Sequence, residues 1–98
     1  MSYLVFCTFD LKNASRDDYN DAYADLAGLG LSRVHENSSN GETVIPTTSV
    51  MGTYNGESSA AVRDHVRARV KEVFATRGLK SEIFVVVGSN GTWGATTT

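Results

Sequence analysis

The chain has 98 residues, 41% of them hydrophobic and 20% charged, with a net charge of −2. That length has room for one domain and one core, and the composition is too apolar for a disordered chain. No apolar run approaches the roughly 18 residues of a membrane span. No secretory signal follows the first methionine, and a single cysteine, Cys7, excludes an intrachain disulfide; a reducing cytoplasm is the simplest setting.

Residues 3–9 read Tyr-Leu-Val-Phe-Cys-Thr-Phe, the nearly continuous apolar run expected of a central strand covered on both faces. Ser15, with Asp18 three residues on, predicts a helix start, and Tyr19, Ala22, Tyr23, Leu26 and Leu29 recur at helical spacing. Gly28 and Gly30 supply the stop, so the first helix spans about 16–27. Residues 31–36 alternate as a second strand. Asn40-Gly41 signals a hairpin, and a third strand lies within 43–54, with Pro46 at its start or at a bulge.

Ser58 or Ser59 caps the second helix. Val62, Val66, Val70, Val73 and Phe74 form its apolar face, and Gly78 ends it. Residues 83–87, Ile-Phe-Val-Val-Val, form the last strand. The domain therefore covers 1–88, and 89–98 is a flexible C-terminal tail around Trp93. The order β-α-β-β-α-β predicts an α+β chain with the ferredoxin-like architecture. That is a four-stranded antiparallel sheet with the first and third strands inside and both helices on one face. The opposite face is left open, and a second subunit covering it predicts a homodimer.

Charge is unevenly spread. Within residues 63–80, Arg63, Arg67, Arg69, Lys71, Arg77 and Lys80 are six of the nine basic residues, whereas residues 10–25 carry Asp10, Asp17, Asp18, Asp21 and Asp25 against Lys12 and Arg16. Such asymmetry marks a nucleic-acid face, two mutually attractive surfaces, or simply solvated helix faces. There is no phosphate-binding glycine loop, no Cys-x-x-Cys and no His-Glu-x-x-His; His35 and His65 lack metal-ligand spacing. Cys7, among apolar neighbours, reads as a buried small hydrophobe. Asp10 stands out because it ends a strand that should be buried, which delivers a carboxylate to the sheet rim. Two such carboxylates about a twofold axis could hold Mg²⁺ for attack on a phosphodiester. Alternatively Asp10 only caps the turn that follows.

Phe9-Asp10-Leu11-Lys12, then Tyr19-Asn20-Asp21-Ala22-Tyr23-Ala24-Asp25-Leu26 and Gly30-Leu31, resemble the N-terminal half of the VapD family. These are small ferredoxin-like endoribonucleases related to the CRISPR spacer-acquisition nuclease and to GhoS, the endoribonuclease antitoxin of a toxin-antitoxin pair. The likeness spans roughly residues 3–35. In the second half Thr48-Ser49-Val50-Met51 echoes the family only loosely, whereas Ile45-Pro46-Thr47-Thr48-Ser49 and the following helix look closer to GhoS-like chains.

The resemblance implies a metal-dependent endoribonuclease, with a toxin-antitoxin module as its candidate setting and Asp10 as metal ligand or general base. Thr48 and Ser49 would orient phosphate, and Arg63, Arg67 and Lys71 would hold the RNA backbone. The competing expectation is a non-catalytic dimer that binds protein or nucleic acid. The overall acidity, with an isoelectric point near 5.5, argues against strong general affinity for nucleic acid.

Overall fold

A computed structural model describes residues 1–36, 41–45, 47–89 and 91–96. The elements run β1 (Ser2–Leu11), α1 (Arg16–Gly28), β2 (Val34–Glu36), β3 (Glu42–Val44), β4 (Ser49–Asn55), α2 (Ser59–Thr76) and β5 (Ser81–Gly88). Asn40 of the predicted Asn40-Gly41 turn and Pro46 of the predicted third strand lie outside the described residues.

The chain is α+β, but the predicted four-stranded sheet is not what it forms. One sheet has three antiparallel strands in the order β4-β1-β5, and β2 pairs with β3 in a separate two-stranded ribbon. The first strand alone is therefore internal, and the expected third strand, β4, is an edge. The second strand fails to join because only Ser32 pairs with β4, bridging Met51 through two 2.9 Å hydrogen bonds. The chain then bends, and Val34 pairs with Val44 of β3 instead.

In β1 the odd residues Tyr3, Val5, Cys7, Phe9 and Leu11 are buried, while Phe6 and Asp10 on the other face are exposed. This is the two-residue period of a strand with one covered face. Both helices cover that face. Ala22 and Leu26 of α1 and Val62, Val66, Val70 and Phe74 of α2 complete the core. Full burial of Phe74, 1% exposed, stabilises by roughly 2–3 kcal/mol through its apolar area.

Local signals fix the helix ends. Ser15 and Asp18 form a reciprocal capping box at α1, and Ser58 caps α2 through the Ala61 amide. Gly30 and Gly78, both with positive φ, turn the chain out of the two helices.

The opposite sheet face is partly roofed by the chain itself. A methyl group on Gly91 would meet the Leu4 side chain, and the Trp93 and His35 rings meet at 62°, their centroids 6.1 Å apart. Residues of β3 and of 91–96 bound a crevice whose floor is Phe6 and Met51, leaving Met51 only 5% exposed. Towards β5 the cover stops: Val86 is 50% and Phe84 62% exposed.

Candidate functional site

The end of β1 is where the fold gathers polar groups. Sheet register sets Asp10 directly across from Glu82 on β5, and Thr8 across from Ser49 on β4. Alternation then puts all four side chains on the face away from the helices. Asp10, Thr8, Thr48, Glu82 and Phe84 line one shallow depression there.

Each hydroxyl in this rim has a defined partner. The Ser49 hydroxyl donates to Thr8 Oγ1 at 3.5 Å, and Thr8 Oγ1 donates to the Thr48 carbonyl at 3.0 Å. The Thr48 carbonyl also accepts the Phe9 amide, and its own amide donates to the Tyr23 hydroxyl at 2.7 Å. Thr48 itself sits at φ 65°, a left-handed conformation that is a strained choice for a β-branched residue.

Tyr19 reaches the same rim from α1. Its hydroxyl accepts the Leu11 amide at 3.2 Å and lies 3.3 Å from both the Leu11 carbonyl and Asp10 Oδ1. A phenol has one proton to donate, so the two oxygens share it. Arg33 stacks on Tyr23, 4.1 Å from the ring centroid, and supports the side chain that holds Thr48. Glu82 is ion-paired with Lys12 at 3.3 Å.

Carboxylates directly opposite on adjacent strands repel, so Asp10 and Glu82 are a local cost, moderated by Lys12 and the Tyr19 hydroxyl. Among the described residues no group of three or more His, Cys, Asp or Glu is arranged to hold a metal. Oxygen donors from two adjacent carboxylates nonetheless match Mg²⁺, which uses one or two protein carboxylates and completes its shell with water and substrate phosphate.

Comparison of the chain with protein-family models, curated proteins and solved structures returns no match.

Of the residues singled out from the sequence, Asp10, Thr48 and Ser49 come together at this rim. Arg63, Arg67 and Lys71 do not join them. They lie exposed on α2, on the helix side of the sheet, where Arg67 and Lys71 border a groove against Ile83 of β5. Arg63 and Arg67 are also engaged with Asp64, at 2.9 and 3.5 Å. Sequence reasoning missed Thr8 and Glu82, whose place depends on strand register. Helical spacing places Tyr19 and Tyr23 on the apolar stripe of the first helix but carries no sign of their hydroxyl bonds to the end of β1 and to Thr48.

Cys7 contributes nothing to the site. It is fully buried, and burial pushes its thiol up to about 11, far from the thiolate a nucleophile needs.

Among the described residues no helix is long and apolar enough to cross a membrane.

Proposed function

We propose that this protein is a small homodimeric, metal-dependent endoribonuclease, of the VapD- and GhoS-like kind that its first third resembles, with Asp10 at the reacting centre. A cytoplasmic role within a toxin-antitoxin module belongs to the same reading. The single observation that carries it is the opposition of Asp10 and Glu82 on the exposed face. A fold keeps such a repulsive pair where function gains from it.

Mg²⁺ bound at these carboxylates would act as a Lewis acid and lower the pKa of a bound water. The chain's own residues do the positioning. Tyr19 fixes the Asp10 carboxylate against the rim. Thr8 and Ser49 present hydroxyls that donate to phosphate oxygens once their present partners are exchanged. Lys12 beside Glu82 adds positive charge for the RNA backbone. α2 runs antiparallel to β5, so Lys71, followed by Arg67 and Arg63, extends the basic track from the start of β5 along the helix side.

The test is cleavage of labelled RNA by the purified chain with Mg²⁺, with EDTA, and by Asp10→Asn. The expected outcome is metal-dependent cleavage reduced at least ~100-fold in the variant, the scale on which removing one catalytic group acts. Equal cleavage by Asp10→Asn removes Asp10 from the chemistry.

A second reading, a non-catalytic binding module, is favoured by the exposure of Phe84 and Val86 on the same face. Salt-sensitive RNA retention without cleavage, lost in Arg63→Glu/Arg67→Glu, would select it.

A further inference from the structure

We infer that two copies of this chain join through the free edge of β5, in an antiparallel β5–β5 pairing centred on Val85 that makes one six-stranded sheet. The inference deepens the dimer half of the reading above and does not depend on Asp10 cutting RNA.

β5 has β1 as its only strand neighbour among the described residues. The Lys12 amide donates to the Lys80 carbonyl, so the even residues of β5 point their backbone groups at β1. The odd residues Ser81, Ile83, Val85 and Val87 therefore point theirs outward. This leaves a row of unused donors and acceptors along the strand. Protected edges carry lysine, proline or a bulge; Ser-Glu-Ile-Phe-Val-Val-Val-Gly has no proline or lysine and a single charge, Glu82.

Both faces of the strand are apolar. Ile83, Val85 and Val87 lean toward the helices, half-buried against the core, and Phe84 and Val86 are exposed on the other side. Over Phe6 and Met51 the open face is already bounded by the chain's own β3 and residues 91–96, so a second copy covering the whole face would first have to displace them. The exposed apolar strip coincides with the unpaired edge.

The outward-pointing residues must pair with each other, which restricts the register. With Val85 opposite Val85, Ile83 meets Val87 in hydrogen-bonded pairs and Phe84 meets Val86, an aromatic–β-branched pair. Glu82 then faces Gly88, so no like charges oppose each other and the carboxylate is not set against Val86. Above this edge the flank of α2 carries Asp64 bonded between Arg63 and Arg67. That flank offers both signs, so a twofold copy can meet acid with base, and the two α2–β5 grooves merge into one trough. From a strand rise of ~3.4 Å and a strand spacing of ~4.8 Å, the two Asp10 side chains stand roughly 25 Å apart. Each Asp10–Glu82 pair then belongs to its own copy, and the sites are separate.

The test is sedimentation velocity of the full chain, with variants chosen to separate edge pairing from other association. The wild type is expected at twice the monomer mass and Phe84→Lys/Val86→Lys at the monomer mass, with circular dichroism unchanged. Phe84→Cys/Val86→Cys is expected to give a covalent dimer on oxidation, because 84 meets 86 at a close, exposed non-hydrogen-bonded pair across the axis, while the wild type, with Cys7 buried, gives none. A monomeric wild type overturns the proposal. So does a dimer that survives the double lysine variant, and so does a dimer in which Phe84→Cys/Val86→Cys fails to cross-link, since that places the contact elsewhere. A wild-type dimer that cleaves no RNA would count against the nuclease reading and leave the β5–β5 pairing standing.

Discussion

Gly52→Ala tests how closely β4 and the exit of α1 are fitted together. A methyl group at Gly52 would lie 2.0 Å from the Gly30 carbonyl oxygen, 3.1 Å from its carbon and 3.4 Å from Leu31 Cδ2. Real Cβ atoms essentially never approach closer than 3.0 Å, so the chain at Gly30 has to retreat by about 1 Å.

Little slack exists for that movement. The Gly30 and Leu31 amides close the helix end onto Ala27 and Leu26, Ser32 is bridged to Met51, and the Tyr54 hydroxyl donates to the Leu29 carbonyl. Overpacking of this kind costs about 1–3 kcal/mol, and one weakened backbone hydrogen bond adds about 1 kcal/mol. The smaller conformational freedom of alanine in the unfolded chain returns about 0.4–1 kcal/mol. The net expectation is a loss of about 2–3 kcal/mol, which for a chain this size lowers Tm by roughly 10–20 °C. Gly28→Ala is the matched control, since nothing lies within 4 Å of its added methyl, and it should be neutral or stabilising by up to ~1 kcal/mol. Thermal melts followed by circular dichroism decide the matter. A Gly52→Ala protein melting within ~3 °C of wild type would refute the close approach.

Other perturbations have definite expected outcomes. Phe74→Ala empties the centre of the core beside Phe9 and should cost about 3–5 kcal/mol in urea unfolding. Thr48→Gly relieves the left-handed strain and should raise stability by up to ~1 kcal/mol after the glycine entropy cost; if RNA cleavage falls while Tm rises, the strained turn serves the site. The Asp25 carboxyl is held below its ordinary value, chiefly by the hydrogen bond from the Arg77 guanidinium. A depressed folded pKa gives stability present above the unfolded value, about 3.9, and lost as pH falls through the folded one. Arg77→Gln should therefore lower Tm slightly at neutral pH, a small effect because the pair is solvent-screened, and the difference from wild type should vanish in melts taken well below pH 4.

The elements with strong local signals are legible in the sequence. The Ser15 and Ser58 caps, the valine stripe of α2 and the apolar run of β5 fall where sequence spacing puts them, because each depends on residues within one or two turns. Residues 31–36 mislead because their alternation fits any half-exposed strand and says nothing about which neighbour accepts it. At the candidate site Asp10 is legible as a polar residue closing an apolar run. Glu82, 72 positions away, is not, since only the antiparallel register of β1 and β5 brings it alongside. The basic residues of α2 are legible as a stripe, but which side of the sheet they occupy is a question of layer, and periodicity carries no layer information.

Among the described residues, Ser32–Met51 is the isolated bridge that ties the chain leading into the β2–β3 ribbon to the sheet, and this has a kinetic corollary. Such an appendage can detach and reattach without melting the three-stranded sheet, so it forms its own cooperative unit. Amide protons of Val34 and Val44 should exchange with solvent deuterium orders of magnitude sooner than those of Val5 and Cys7, and the crevice over Phe6 and Met51 would open each time the ribbon lifts.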